Sequence, residues 1–172
     1  MQRRVVVLAV GVVATAMLVL GTLDTLVWMP QQLAPGIAPE RITAALEASG
    51  DLPYVTASAL VWLVFWALVT AAYVVVLLPA VPRLRPAIDA VRPITVVAFG
   101  AVLLGAVGFL HWWSAFGMGM SVSDELPPYV GGTTVLGAAL ALGGLLLGAV
   151  GFVVGIVAIL TSGRSRPVAV AS

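Results

Sequence analysis

Asp24 and His111 are the residues of this chain best placed to do chemistry. Asp24 is a carboxylate inside a long apolar run, and His111 is the only histidine in the sequence. His111 stands in GFLHWWSAFGMGM (Gly108–Met120), ahead of two tryptophans and of Met118 and Met120. An ionisable group embedded in apolar sequence is costly to hold in lipid, which makes it a functional candidate by default. A carboxylate and an imidazole together can relay a proton or coordinate a solute. A histidine near Met-x-Met also offers soft-metal ligands, and a His/Met pair can hold haem iron.

Other chemistries find no support. There is no cysteine, which excludes disulfides, Cys-ligated zinc, iron–sulfur clusters and thiol catalysis. The sequence has no HExxH, no phosphate-binding loop and no Ser/His/Asp set. A single histidine is a poor basis for haem, and methionines in a Gly-rich stretch are commonplace. The expectation is no catalytic residue, no metal site and no cofactor, hence no enzyme.

The elements that must position the pair follow from composition. The chain is 62% hydrophobic and only 9% charged, with a mean hydropathy of +1.16. Soluble domains carry about a quarter charged residues, so the solvent for most of this chain is lipid. Net charge is +1, which gives no basic field for nucleic acid. Four apolar runs reach the roughly 20 residues a membrane helix needs: residues 5–29, 54–78, 94–113 and about 133–160. They lack the period-2 alternation of a membrane strand, so they read as four transmembrane helices in an all-α integral membrane protein.

Arginine placement predicts orientation. Arg3, Arg4, Arg83, Arg85, Arg92, Arg164 and Arg166 fall on one side of these spans, and only Arg41 on the other. The positive-inside rule then puts both termini, the short middle loop and the tail 168–172 in the cytoplasm of a bacterial plasma membrane. Arg3 and Arg4 precede an apolar run too long for a signal peptide, so the first span reads as uncleaved. The outer loops are 30–53 and 114–132. The first contains a helix at about 39–49, with Pro39 at its start, Gly50 as its cap, and Ile42, Ala45 and Leu46 on one face.

The sequence also repeats itself. Arg3–Val13 (RRVVVLAVGVV) resembles Arg92–Val102 (RPITVVAFGAV), and Gly21–Asp24 (GTLD) resembles Gly108–His111 (GFLH). Asp51–Val55 (DLPYV) resembles Glu125–Val130 (ELPPYV), and Arg83–Ala87 (RLRPA) resembles Arg164–Val168 (RSRPV). The matches are collinear. They predict two tandem, similarly oriented hairpins, 3–86 and 92–167, related by a pseudo-twofold axis along the membrane normal. Asp24 and His111 are equivalent under this repeat.

Small residues predict the packing. Gly137, Ala141, Gly144, Gly148, Gly151 and Gly155 recur every 3.5 residues on average, a seam for close helix approach in lipid. Shorter versions are Ala98, Ala101, Gly105 and Gly108, and Gly11, Ala14 and Gly21. Such a stripe serves packing inside the bundle, or a homo-oligomer or membrane-protein partner; the first reading is the simpler.

Depth bears on the pair. Val5 to Asp24 spans about 28 Å, and Ile94 to His111 about 26 Å, against a hydrocarbon core of about 30 Å. Both side chains therefore lie near the outer membrane edge, level with an aromatic belt of Trp28, Tyr54, Trp112, Trp113 and Tyr129. That depth favours an interhelical hydrogen bond over a midplane transport site. The leading expectation is a non-catalytic accessory or interaction subunit. The rivals are a small proton- or solute-coupled transporter or channel using Asp24 and His111, and a cofactor-binding oxidoreductase subunit.

Overall fold

The computed structural model describes residues 2–78, 86, 90–126 and 132–162, and among these every regular element is helical. In order they are α1 (Gln2–Leu23), a π-helical turn (Asp24–Trp28), α2 (Met29–Leu33), α3 (Pro39–Ser49), α4 (Asp51–Leu77), α5 (Pro93–Glu125) and α6 (Val135–Ser162). The first three join end to end. Four rods are thus long and apolar enough to cross a membrane: Arg3–Leu33, Asp51–Leu77, Pro93–Glu125 and Val135–Thr161. A helix closes its backbone hydrogen bonds within its own segment, as lipid requires.

Pro30 explains the π turn. A proline in a helix has no amide hydrogen, and its ring collides with the carbonyl four residues back, here that of Leu26. The chain widens just before it, with the Met29 N–H donating to the Asp24 carbonyl five residues back. The rod therefore continues to Leu33, past the boundary at Pro30 expected from sequence. Along α1 the buried stripe is Val7, Gly11, Ala14, Leu18 and Gly21, and the widened turn extends it to both Asp24 and Thr25.

The second correction concerns Ser114–Glu125, expected as outer loop but folded as the last three turns of α5. Ala115, Met118 and Val122 share one face, and they pack against Ile42 and Leu46 of α3, Met29 of α2 and Val55 of α4. That apolar contact outweighs the helix-weakening effect of Gly117 and Gly119, which costs about 1 kcal/mol each. α3 starts at Pro39 and ends at Gly50, whose φ of +84° needs a residue without a Cβ. α4 then begins at Asp51, with Pro53 in its first turn, where a missing amide hydrogen costs nothing.

α5 is the central rod, in contact with α1, α4 and α6. α6 leans mainly on α5, and the seam is backbone on backbone. A methyl group at Gly105 would run into Gly148, one at Gly144 into the amide of Phe109, and one at Gly108 would stand 2.7 Å from the Leu140 carbonyl oxygen. At Gly151 it would stand 2.9 Å from the Ala98 oxygen. α1 packs on α4 and α5 through side chains, with Leu18, Trp62, Leu103 and Val107 at the centre. Tyr129, Arg83, Arg85, Arg164, Arg166 and the tail 168–172 lie outside the described residues.

Candidate functional site

Three rods meet at one buried polar cluster. α1 ends where the π turn delivers Asp24 to the interior, and α5 presents His111 from its own buried face. Thr134 immediately precedes α6. Its carbonyl accepts the Ala138 N–H at 2.9 Å and its hydroxyl accepts the Gly137 N–H at 2.8 Å, the geometry of a helix N-cap. Asp24 binds both partners. The Thr134 hydroxyl donates to Asp24 Oδ1 at 2.6 Å, and His111 Nε2 lies 3.1 Å from Asp24 Oδ2. Asp24 and His111 have no exposed surface, and Thr134 is 3% exposed.

If Asp24 is ionised, the 3.1 Å contact is a hydrogen bond donated by His111 Nε2–H to Oδ2. Nδ1 then points away from the carboxylate and has no hydrogen-bond partner. It lies over Gly21, where an added Cβ would stand 3.0 Å from Nδ1 and 2.8 Å from Cη2 of Trp62. The Trp62 and His111 rings are 5.3 Å apart at 57°, within the range of favourable aromatic pairs. Glycine at position 21 is therefore a steric requirement of the cluster. The carboxylate also sits at the N-terminal end of α6, the end whose dipole favours negative charge.

The cluster fastens helices and is closed to solvent. A groove of about 880 Å³ runs between α1 and α4 and is lined by residues such as Gly11, Thr15, Ala67 and Thr70. Smaller ones lie between α4 and α5 (about 540 Å³), beside Arg3 (about 500 Å³) and beneath α3 (about 110 Å³). Asp24 and His111 line none of these four.

The remaining sequence candidates fall into place around this cluster. Met118 is committed to the apolar contact beneath α3, about 10 Å along the helix axis from His111, and Met120 is exposed. The two sulfurs do not join the histidine. Among the described residues no three histidine, cysteine or acidic side chains gather as metal ligands. Of the small-residue stripe, Gly144, Gly148 and Gly151 face α5, Gly155 faces the Ala98 methyl, and Gly137 faces Asp24 and Thr134. Ala141 is half-buried. Trp113 and Tyr54 are more than 70% exposed, Trp112 is partly exposed and Trp28 is half-buried.

Sequence reading missed Thr134 and Trp62. Thr134 had a legible signal, since threonine directly before an apolar run is a helix-start residue. Trp62 had none, because α4 is apolar all round. The chain matches no protein-family model, no curated protein and no solved structure.

Proposed function

We propose that this chain is a multi-pass protein of a bacterial plasma membrane, with both termini cytoplasmic, acting without catalysis as an accessory or interaction subunit. The observation that carries the reading is the closure of the polar cluster. Asp24, His111 and Thr134 are bonded to one another and shielded from solvent, a geometry that holds three rods together and offers a substrate no entrance. The test is flux. Purified chain in liposomes should conduct neither protons nor small ions above empty-vesicle controls, and Asp24→Asn should change nothing. Proton-coupled flux that disappears in Asp24→Asn overturns the reading.

Two tandem hairpins belong to the same proposal. Support comes from the matched rods, Arg3–Leu33 with Pro93–Glu125 and Asp51–Leu77 with Val135–Thr161. It comes also from the meeting of Asp24 and His111, which are equivalent under the repeat. The absence of cysteine makes topology easy to test. A cysteine at Thr43 should react with an impermeant thiol reagent from outside intact cells, and one at Ala90 only after lysis.

A second reading, proton- or solute-coupled transport, is favoured by two features. Asp24 opens a π turn, and such turns often occur at functional sites. Nδ1 of His111 also stands without a partner. The liposome experiment decides between the two readings.

A further inference from the structure

The end of the bundle opposite the polar cluster carries a different kind of site. α1 and α5 both begin there, and between their first turns lies a groove of about 500 Å³ lined by Arg3, Val5, Val6, Pro93, Ile94, Val96 and Val97. Apart from Arg3 the lining is apolar. Val5, Ile94 and Val97 are each more than 40% exposed, so the groove opens sideways to the membrane. Arg4 and Arg92 are exposed beside it in sequence, next to Arg3 and Pro93. Neither α1 nor α5 has an acidic residue in its first turn. Three arginines, Arg3, Arg4 and Arg92, thus stand at the starts of the two helices against one acidic residue nearby in sequence, Asp89.

We propose that this groove seats one anionic phospholipid, its phosphate at the arginines and an acyl chain along Val5, Val6, Ile94 and Val97. Nε and Nη2 of Arg3 are buried and the residue has contacts within the protein, so Arg3 contributes charge at the rim, while the exposed guanidinium groups of Arg4 and Arg92 offer the forked donors that suit phosphate oxygens. The apolar trough selects a lipid over a free phosphate ion. The charge selects an anionic headgroup over a zwitterionic one, since each arginine near an anionic surface contributes about 1 kcal/mol, or about fivefold in binding. The inference rests on reading the four rods as membrane spans and requires neither proposed activity.

Native mass spectrometry of the full chain, released from mild detergent, tests it. The chain is offered equal amounts of phosphatidylglycerol and phosphatidylcholine with identical acyl chains. Phosphatidylglycerol should be retained in preference. Its retention should fall about fivefold in Arg92→Gln and about 25-fold in the Arg3→Gln/Arg92→Gln pair. Arg41→Gln, on α3 at the other end, should change nothing. Val97→Trp, which fills the trough without touching charge, should also lower retention, and glycerol 3-phosphate should not compete. Arg92 is exposed, so its variant keeps the test valid if the double variant does not fold. Equal retention of the two lipids, unchanged retention in Arg92→Gln, or competition by glycerol 3-phosphate overturns the proposal. A chain that does not enter bilayers at all overturns the spans themselves, which vesicle flotation reads separately.

Discussion

The two halves of this bundle use glycine differently. In α5 and α6 the small residues face one another, so Gly105 and Gly108 lie against Gly144 and Gly148 with backbones in contact. In α1 the small residues face large ones: Gly11 meets Val74, and Gly21 meets Trp62 and His111. The first arrangement makes a tight seam, while the second leaves a groove of about 880 Å³ beside it. In lipid there is little hydrophobic drive between helices, so close packing and hydrogen bonds must hold them. A glycine stripe therefore brings helices close only where its partner presents small residues in register. The α5–α6 pair is held by packing, and α1 is tied to that pair at its far end by the polar cluster.

The sharpest way to break the contrast is to fill the seam. Gly144→Leu places a side chain where the Phe109 amide and the Gly105 and Gly108 backbones already stand. Backbone cannot turn aside as a side chain can, and overpacking of this kind costs about 3 kcal/mol or more. The expected outcome is loss of folded monomer in mild detergent, read by size-exclusion profile and thermal unfolding. Gly148→Leu should cost less, since a Cβ there stands 3.5 Å from Gly105 Cα, an ordinary contact. If either variant instead stays folded and only changes oligomeric mass, the stripe serves contact between copies and the contrast fails.

Asp24→Ala attacks the tie. It strands His111 Nε2 and the Thr134 hydroxyl in the interior, and two buried groups left without a partner cost together about 3 kcal/mol. Asp24→Asn retains an oxygen and an amide at the same place and should cost about 1 kcal/mol. Unfolding in graded sodium dodecyl sulfate gives both values. Hydrogen exchange locates the effect: amides of α2 and the π turn should lose protection in Asp24→Ala while the middle of the α5–α6 seam keeps it. Uniform loss throughout the bundle would mean that the cluster, and not the glycine seam, holds the second half together.

These features were unequally legible in the sequence. Spans show through composition, because long apolar runs have one solution in lipid. Their ends do not. Pro30 reads as a stop, yet one widened turn carries the rod past it. Ser114–Glu125 reads as loop from its glycines, yet the spacing of Ala115, Met118 and Val122 held the clue that a partner covers that face. Asp24 and His111 were visible as isolated ionisable residues in apolar sequence. That both are fully buried was not, since depth counted along each span placed them near water. Thr134 bonded to Asp24 and Trp62 packed on His111 enclose them from other helices, and no single-helix count contains either.

Thr134→Val tests the third corner more gently. It removes the N-cap of α6 and the shortest bond to Asp24, while the Asp24–His111 contact remains. Loss of a helix cap and of one bond to the carboxylate together cost about 2 kcal/mol, so this variant should fall between Asp24→Asn and Asp24→Ala. Thr134→Ser keeps the hydroxyl and should restore most of the stability. A serine variant as unstable as the valine would assign the effect to packing of the threonine methyl group.

The smallest expected effect is also the most direct comparison of the two halves. Gly11→Ala and Gly105→Ala make the same chemical change in small-residue stripes of α1 and α5. At Gly105 the new methyl meets the Gly148 backbone, and the helices must separate. At Gly11 it meets only Cγ2 of Val74, at 2.9 Å, the end of a side chain beside an open groove. Alanine also has the higher helix propensity, worth up to about 1 kcal/mol over glycine, which offsets a small shift of Val74. Gly11→Ala should therefore fall within about 0.5 kcal/mol of the parent chain, and Gly105→Ala well below it, in the same unfolding assay. Equal losses at the two sites would mean that α1 and α4 are sealed as tightly as α5 and α6, and that the groove between them is closed in the membrane.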